Sequence, residues 1–191
     1  TRGEDPGLAF FEWSADPGVV DFVRSHVFTM NYIYELPFFR GKRGFVGQVV
    51  GNWQVSGLIT AQSGLALTPG MSLSSRGLAT RPDATGAPVA GAGSKESWFN
   101  TGAFAAPAPG MFGNAGVGTL RGPGFFIWDA SVAKQFPVTE NMRFSLRGEL
   151  FNWMNHTNWS GVDTNLGSGT YGRVTSARDP RRIQVSARLD F

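Results

Sequence analysis

The residues able to do chemistry are few and scattered. Cysteine is absent, which rules out thiolate catalysis, thiolate metal sites and disulfides. His26 and His156, the only histidines, lie far apart, one at the start of an alternating segment and one in a loop. Neither has a nucleophile or ligand partner at a recognisable spacing. Each reads as a hydrogen-bonding group, with a capping role for His156. Asp163-x-Asn165-x-Gly167 opens like a calcium loop but lacks the later acidic ligand, so it reads as an Asx turn. The segment from Gly116 through Gly118 to Gly122 lacks the spacing of a phosphate-binding loop and reads as a turn. No catalytic, metal or cofactor site is expected, and the chain does not read as an enzyme. What remains is a charged set: Asp129, Arg143, Arg147, Glu149, Arg182, Arg188 and Asp190. Its members share one side of alternating segments.

Those segments must position the charges. In Arg181 to Phe191, Ile183, Val185, Ala187, Leu189 and Phe191 alternate with Arg182, Gln184, Ser186, Arg188 and Asp190. Strand side chains point to opposite faces with period two, so one face is apolar and the other polar. Phe28, Met30, Tyr32, Tyr34 and Leu36 repeat the pattern, as do Trp53, Val55, Gly57, Ile59 and Ala61, with Leu58 a misfit on the polar side. Phe126, Trp128, Ala130, Val132 and Phe136 form a fourth row, and Met142, Phe144, Leu146, Gly148 and Leu150 a fifth. The expected strands are about 26–36, 49–66, 125–136, 141–153 and 181–191. All 11 prolines fall outside them, as ladder bonding requires. Residues 1–24 read as a loop or the end of a preceding strand. A basic turn surrounds Arg40, Lys42 and Arg43, and residues 67–124 and 154–180 are long loops. The first of these packs on itself through Trp98, Phe99, Phe104, Met111 and Phe112.

Composition supports this parse. Charged residues are 16%, aromatics 13%, and there are 26 glycines and 11 prolines, a mixture suited to an all-β chain. The net charge of +3 is small and its arginines dispersed, which gives nucleic-acid binding little support. No apolar run suffices for a transmembrane helix, but a barrel strand crosses lipid without a hydropathy peak. The expectation is an antiparallel meander of about five long strands forming part of a larger transmembrane β-barrel. Its charged set faces the interior, while Lys134 falls on the lipid face near one end, placed to snorkel. Five strands cannot close a barrel, so the chain reads as a fragment whose edge strands need partners. Connections alternate short and long. With Phe191 at the periplasmic side, both long loops fall outside the cell.

The terminal strand resembles the C-terminal assembly signal of outer-membrane proteins at Gln184, Ser186, Leu189 and Phe191, with Ser186 in place of the usual glycine. HVFTMNYIYELPFF (26–39), NWQVSGLITAQSG (52–64), WFNTGAFAAPAPGMFGNAG (98–116), LRGPGF (120–125) and YGRVTSARDPRRIQ (171–184) resemble TonB-dependent receptors. The similarity is to the Oar-like branch that carries a carboxypeptidase-regulatory-like module. The resemblance covers nearly all of residues 24–191. It implies a 22-stranded barrel whose plug and N-terminal module lie outside this chain. The implied partners are outer-membrane lipid, the barrel-assembly machinery, the TonB complex and an unidentified solute. The implied activity is energised uptake or export across the bacterial outer membrane. In that setting the charged set forms either a solute path or plug-docking surface, or a self-satisfied ladder of cross-strand ion pairs, and the ladder is favoured. The competing reading is a secreted β-sandwich adhesin or carbohydrate-binding module, in which the apolar faces would meet under a covering layer. A small complete porin-like channel is disfavoured by the length of the 67–124 loop.

Overall fold

The structure, a computed structural model, describes residues 24–38, 44–72, 79–109, 111–139 and 141–191. The expected loop or strand end before Arg24, the basic turn Arg40–Arg43 and Glu140 lie outside the described residues.

Five long strands form one antiparallel sheet in chain order: β1 Val27–Glu35, β2 Trp53–Gln62, β3 Phe125–Pro137, β4 Arg143–Phe151 and β5 Arg182–Asp190. The alternating rows dictate the register, because a slip by one residue would turn every apolar side chain to the wrong face. Tyr32 faces Gly57, Gly57 faces Ala130, Ala130 faces Leu150, and Leu150 faces Ile183. All five apolar rows therefore lie on the same side of the sheet.

The strand ends differ from expectation for local reasons. Residues expected to begin the second strand form a short helix, Phe45–Val50. Asn52, with φ 59°, then reverses the chain into β2, a conformation that asparagine tolerates. At its other end β2 stops at Gln62 rather than continuing to 66, because Gly64 meets the backbone of Gly122, whose carbonyl a Cβ would overlap. β4 ends at Phe151 because Asn152 is also left-handed, with φ 50°. Pro137 is the last residue of β3, facing Arg143, so one proline does lie inside a strand. Its position at the strand end costs the ladder little. The next residues close a tight turn in which the Val138 amide donates to the Met142 carbonyl at 2.9 Å.

The two long connections leave from the same end of the sheet and build a second compact unit, residues 63–124 with 159–177. It has its own core of Phe99, Ala103, Phe104, Ala115 and Leu120, joined by Leu67, Trp98, Val162 and Tyr171. Phe99 packs edge-on against Phe104 and Tyr171, with ring centroids 6.3 and 5.3 Å away. Of the five anchors expected for residues 67–124, Trp98, Phe99 and Phe104 pack in this core, in company with part of the second loop, whereas Met111 and Phe112 are exposed. Strand pairs of two to four residues supply the backbone partners: Ala66–Leu67 with Leu120–Arg121, Asp83–Ala84 with Phe104–Ala105, and Trp159–Val162 with Val174–Ala177.

Candidate functional site: the two faces of the strand wall

Among the described residues, nothing covers the end of the apolar face formed by β4 and β5. Val185 is 69% exposed, Ile183 65%, Leu189 49% and Leu146 40%. A second sheet packed over this face, as a β-sandwich requires, would bury all four. Aromatic residues mark both ends of the face. Phe28 and Phe126 flank Ala61 at the end of the long connections, and Phe136 meets Phe144 at the end of the tight turn, centroids 5.9 Å apart. Along β3, the step from Phe126 to Phe136 spans about 33 Å at the usual rise. At a tilt of about 40° this is about 25 Å of height, the thickness of a barrel's apolar band.

Lys134 is the exception on this face, and its placement corrects the expectation that it would snorkel to water. Only 3% of it is exposed. Its Nζ donates to the Gly51 carbonyl at 2.6 Å and lies 4.9 Å from the ring centroids of both Trp53 and Phe136. The ammonium is satisfied by one carbonyl and two aromatic faces, and it ties β3 to the turn before β2.

The opposite face carries the charged set. Asp129, Arg143, Arg147, Glu149, Arg182, Arg188 and Asp190 all lie there, since Arg147 faces Ser186, Glu149 faces Gln184 and Arg143 faces Asp190. The structure brings only some of them together. Arg147 Nε meets Glu149 Oε1 at 3.1 Å, Arg188 Nε donates to Asp190 Oδ1 at 2.6 Å, and Arg182 pairs with Asp179 at 3.1 Å. These pairs run along the chain rather than across strands, which corrects the expected cross-strand ladder. Asp190 lies opposite Arg143 but pairs with Arg188 on its own strand, and for Arg147 the reason is the register. Arg147 lies between Ala133 and Ser186, so the nearest carboxylate is two residues along its own strand, about 7 Å away and within arginine's reach. Exposed pairs of this kind contribute about 0–1 kcal/mol each. Arg147 also reaches Ser131 Oγ at 3.4 Å, and Ser131 bonds Ser56 at 2.8 Å, carrying the polar row over three strands. Among the described residues, the Arg143 guanidinium has no hydrogen bond or ion pair.

A group of asparagines that the sequence reading did not single out secures the end of β3, β4 and β5. Asn158, almost fully buried, accepts from the Phe126 amide at 2.7 Å and donates to the Phe126 carbonyl at 2.9 Å, substituting for a neighbouring strand. Asn152 donates to the His156 and Asp179 carbonyls and accepts from the His156 amide, while its own amide donates to Asp129 Oδ1 at 2.8 Å. Asn155 Oδ1 accepts from the Arg181 amide at 3.2 Å. The capping assigned to His156 is thus performed by Asn152 on the His156 backbone, and the imidazole stands edge-on to Phe126, centroids 6.5 Å apart. His26 lies just before β1, outside this group. The only sequence signal for the asparagine group is the three-residue spacing in N-W-M-N-H-T-N.

In the loop unit, Asp163 forms an Asx turn. Oδ1 accepts from the Asn165 amide at 2.9 Å and Oδ2 from Thr170 Oγ1 at 2.6 Å. Burial works against its charge, but hydrogen bonds from Ser168, Thr170 and Asn165 outweigh it and hold the carboxyl below its usual range. The Tyr171 hydroxyl is pushed up, first by burial and then by the Asp163 charge. Val117 and Gly118 form a turn, as the glycine pattern there implied, but Leu120–Arg121 after it pair as a strand; the Gly118 amide donates to Thr68 Oγ1 at 3.0 Å. Of the terminal residues, Gln184 and Ser186 lie on the polar face, Leu189 on the apolar face opposite Phe144, and Phe191 extends past β5, exposed.

An uncovered apolar band edged by aromatics, backed by a polar and charged face, is the wall of a membrane-spanning β-structure. The chain belongs to the outer membrane beta barrel domain family, whose model it matches over residues 6–184, and its place is the bacterial outer membrane. No curated protein and no solved structure matches it.

Proposed function

We propose that this chain is the C-terminal wall of a TonB-dependent outer-membrane transporter, a barrel of the 22-stranded type that moves a solute by uptake or export using inner-membrane energy. The observation that carries the reading is the open sheet. Among the described residues, β1 and β5 each have a strand on one side only, and in lipid an unpaired edge costs several kcal/mol per exposed polar group. Further strands must complete the cylinder, and the resemblance to TonB-dependent receptors supports a number of the 22-stranded type. The resemblance of residues 26–39, 98–116 and 171–184 to Oar-like receptors selects the energised class among large barrels. Long connections face outward, and the charged set borders the lumen, where Arg143 is available to a plug or solute. Gln184, Ser186, Leu189 and Phe191 act as the signal read by the barrel-assembly machinery.

The test is crosslinking in cells that make the full-length protein. Affinity capture is expected to recover TonB bound to it. A folded barrel that captures no TonB, in cells where another energised receptor does, contradicts the reading.

A further inference from the structure

At the end of the wall where β5 begins, residues 178–182 place three arginines in five positions. The segment is held by the asparagine group. The Arg178 amide donates to the Asn158 carbonyl at 2.7 Å, Asn152 donates to the Asp179 carbonyl at 3.4 Å, and the Arg181 amide donates to Asn155 Oδ1. Two of the three guanidiniums are committed. Arg178 lies over the Phe125 ring, 4.1 Å from its centroid, and Arg182 pairs with Asp179. Among the described residues, the Arg181 guanidinium has no hydrogen bond, ion pair or ring contact, and the residue is exposed.

Arg181 precedes Ile183 by two, in the parity of the most exposed apolar row on the sheet, Ile183 and Val185. None of the residues on the apolar face of the five strands is acidic. The described strands thus offer this guanidinium no anion, and it sits at the height where the apolar band gives way to headgroups. We infer that Arg181 is a lipid-binding residue that holds the phosphate of a membrane-lipid headgroup in the leaflet beside the long connections. Guanidinium presents a planar fork that matches phosphate oxygens in two parallel hydrogen bonds. A fixed backbone spares the ordering cost that a mobile arginine would carry. The inference rests on the membrane placement of the wall and not on energised transport.

The test uses the full-length protein in alkyl-maltoside micelles containing either phosphatidic acid or diacylglycerol, with retained lipid counted by native mass spectrometry. The wild type is expected to retain phosphatidic acid over diacylglycerol. Arg181→Ala is expected to weaken that retention about tenfold, as loss of a charge-assisted contact implies, while Arg181→Lys keeps part of it. Arg182→Ala, at the paired neighbour, is expected to retain lipid like the wild type, and heat-modifiable mobility checks that each variant is folded. Equal retention by folded Arg181→Ala overturns the inference. So does an equal loss in Arg182→Ala, which would mean diffuse charge. Displacement of the lipid by millimolar inorganic phosphate would mean a free-anion site and overturns it as well.

Discussion

The indole Nε1 of Trp128 donates a hydrogen bond of 3.1 Å to the hydroxyl of Tyr32, two strands away on the apolar face. The Tyr32 ring reaches across by lying over Gly57, its register partner on the strand between. Both groups would otherwise present an unpaired donor to lipid, at a cost of roughly 2–7 kcal/mol for such a group without a partner. The glycine is what lets them meet, and Trp153 then packs edge-on against Trp128, centroids 6.0 Å apart.

Gly57→Val is therefore expected to lift Tyr32 off the strand and break this bond. A Cβ there would come within 2.6 Å of both the Tyr32 hydroxyl and the Asp129 carbonyl. A destabilisation of about 1–3 kcal/mol is expected, measured by urea unfolding of the full-length barrel in vesicles. Stability equal to wild type would show that the glycine is incidental.

Asn158 stands in for a strand, so Asn158→Ala should strip both Phe126 backbone groups of their partner. Two buried groups left unsatisfied imply a loss of about 2–4 kcal/mol. Hydrogen exchange at the Phe126 amide should speed up while amides in the middle of β3 stay protected. An unchanged Phe126 exchange rate would contradict the role given to Asn158.

Acid should act on the loop unit through Asp163. Its carboxyl titrates below the ordinary value of 3.8 in the fold, so the unfolded chain binds the proton more readily. The stability this contributes is present above about pH 4 and is lost as pH falls through the lower folded value. Asp163→Asn should flatten that acid-dependent part, followed by the fluorescence of Trp98 and Trp159, which pack edge-on in this unit. The same acid dependence in both proteins would remove Asp163 from the account.

How much of this was legible in the sequence depends on the size of the repeating signal. The five rows announce themselves because each strand repeats its alternation four or more times. The misfit noted in β2, Leu58, does lie on the polar face, opposite Asp129, and Ile33 of β1 and Phe151 of β4 lie on that face too. The helix Phe45–Val50 spans under two turns and has no side-chain cap, too short for a period of 3.6 to emerge. The loop unit escaped detail because strands of two to four residues carry no alternation. For the charged set, parity gives the face but not the partner. Arg147 found Glu149 along its own strand because the residues across from it are Ala133 and Ser186. Asn158 bonds to backbone, which leaves no complementary residue to read.

The most direct test of the two-faced wall is paired cysteine labelling at Val185 and Gln184, neighbours that face opposite sides of β5. In the full-length protein in native membranes, Val185→Cys should react with a lipid-soluble maleimide and resist a charged one. Gln184→Cys should show the opposite preference. If the charged reagent instead labels position 185 readily and the lipid-soluble one prefers position 184, the apolar face does not meet the bilayer and the account is wrong.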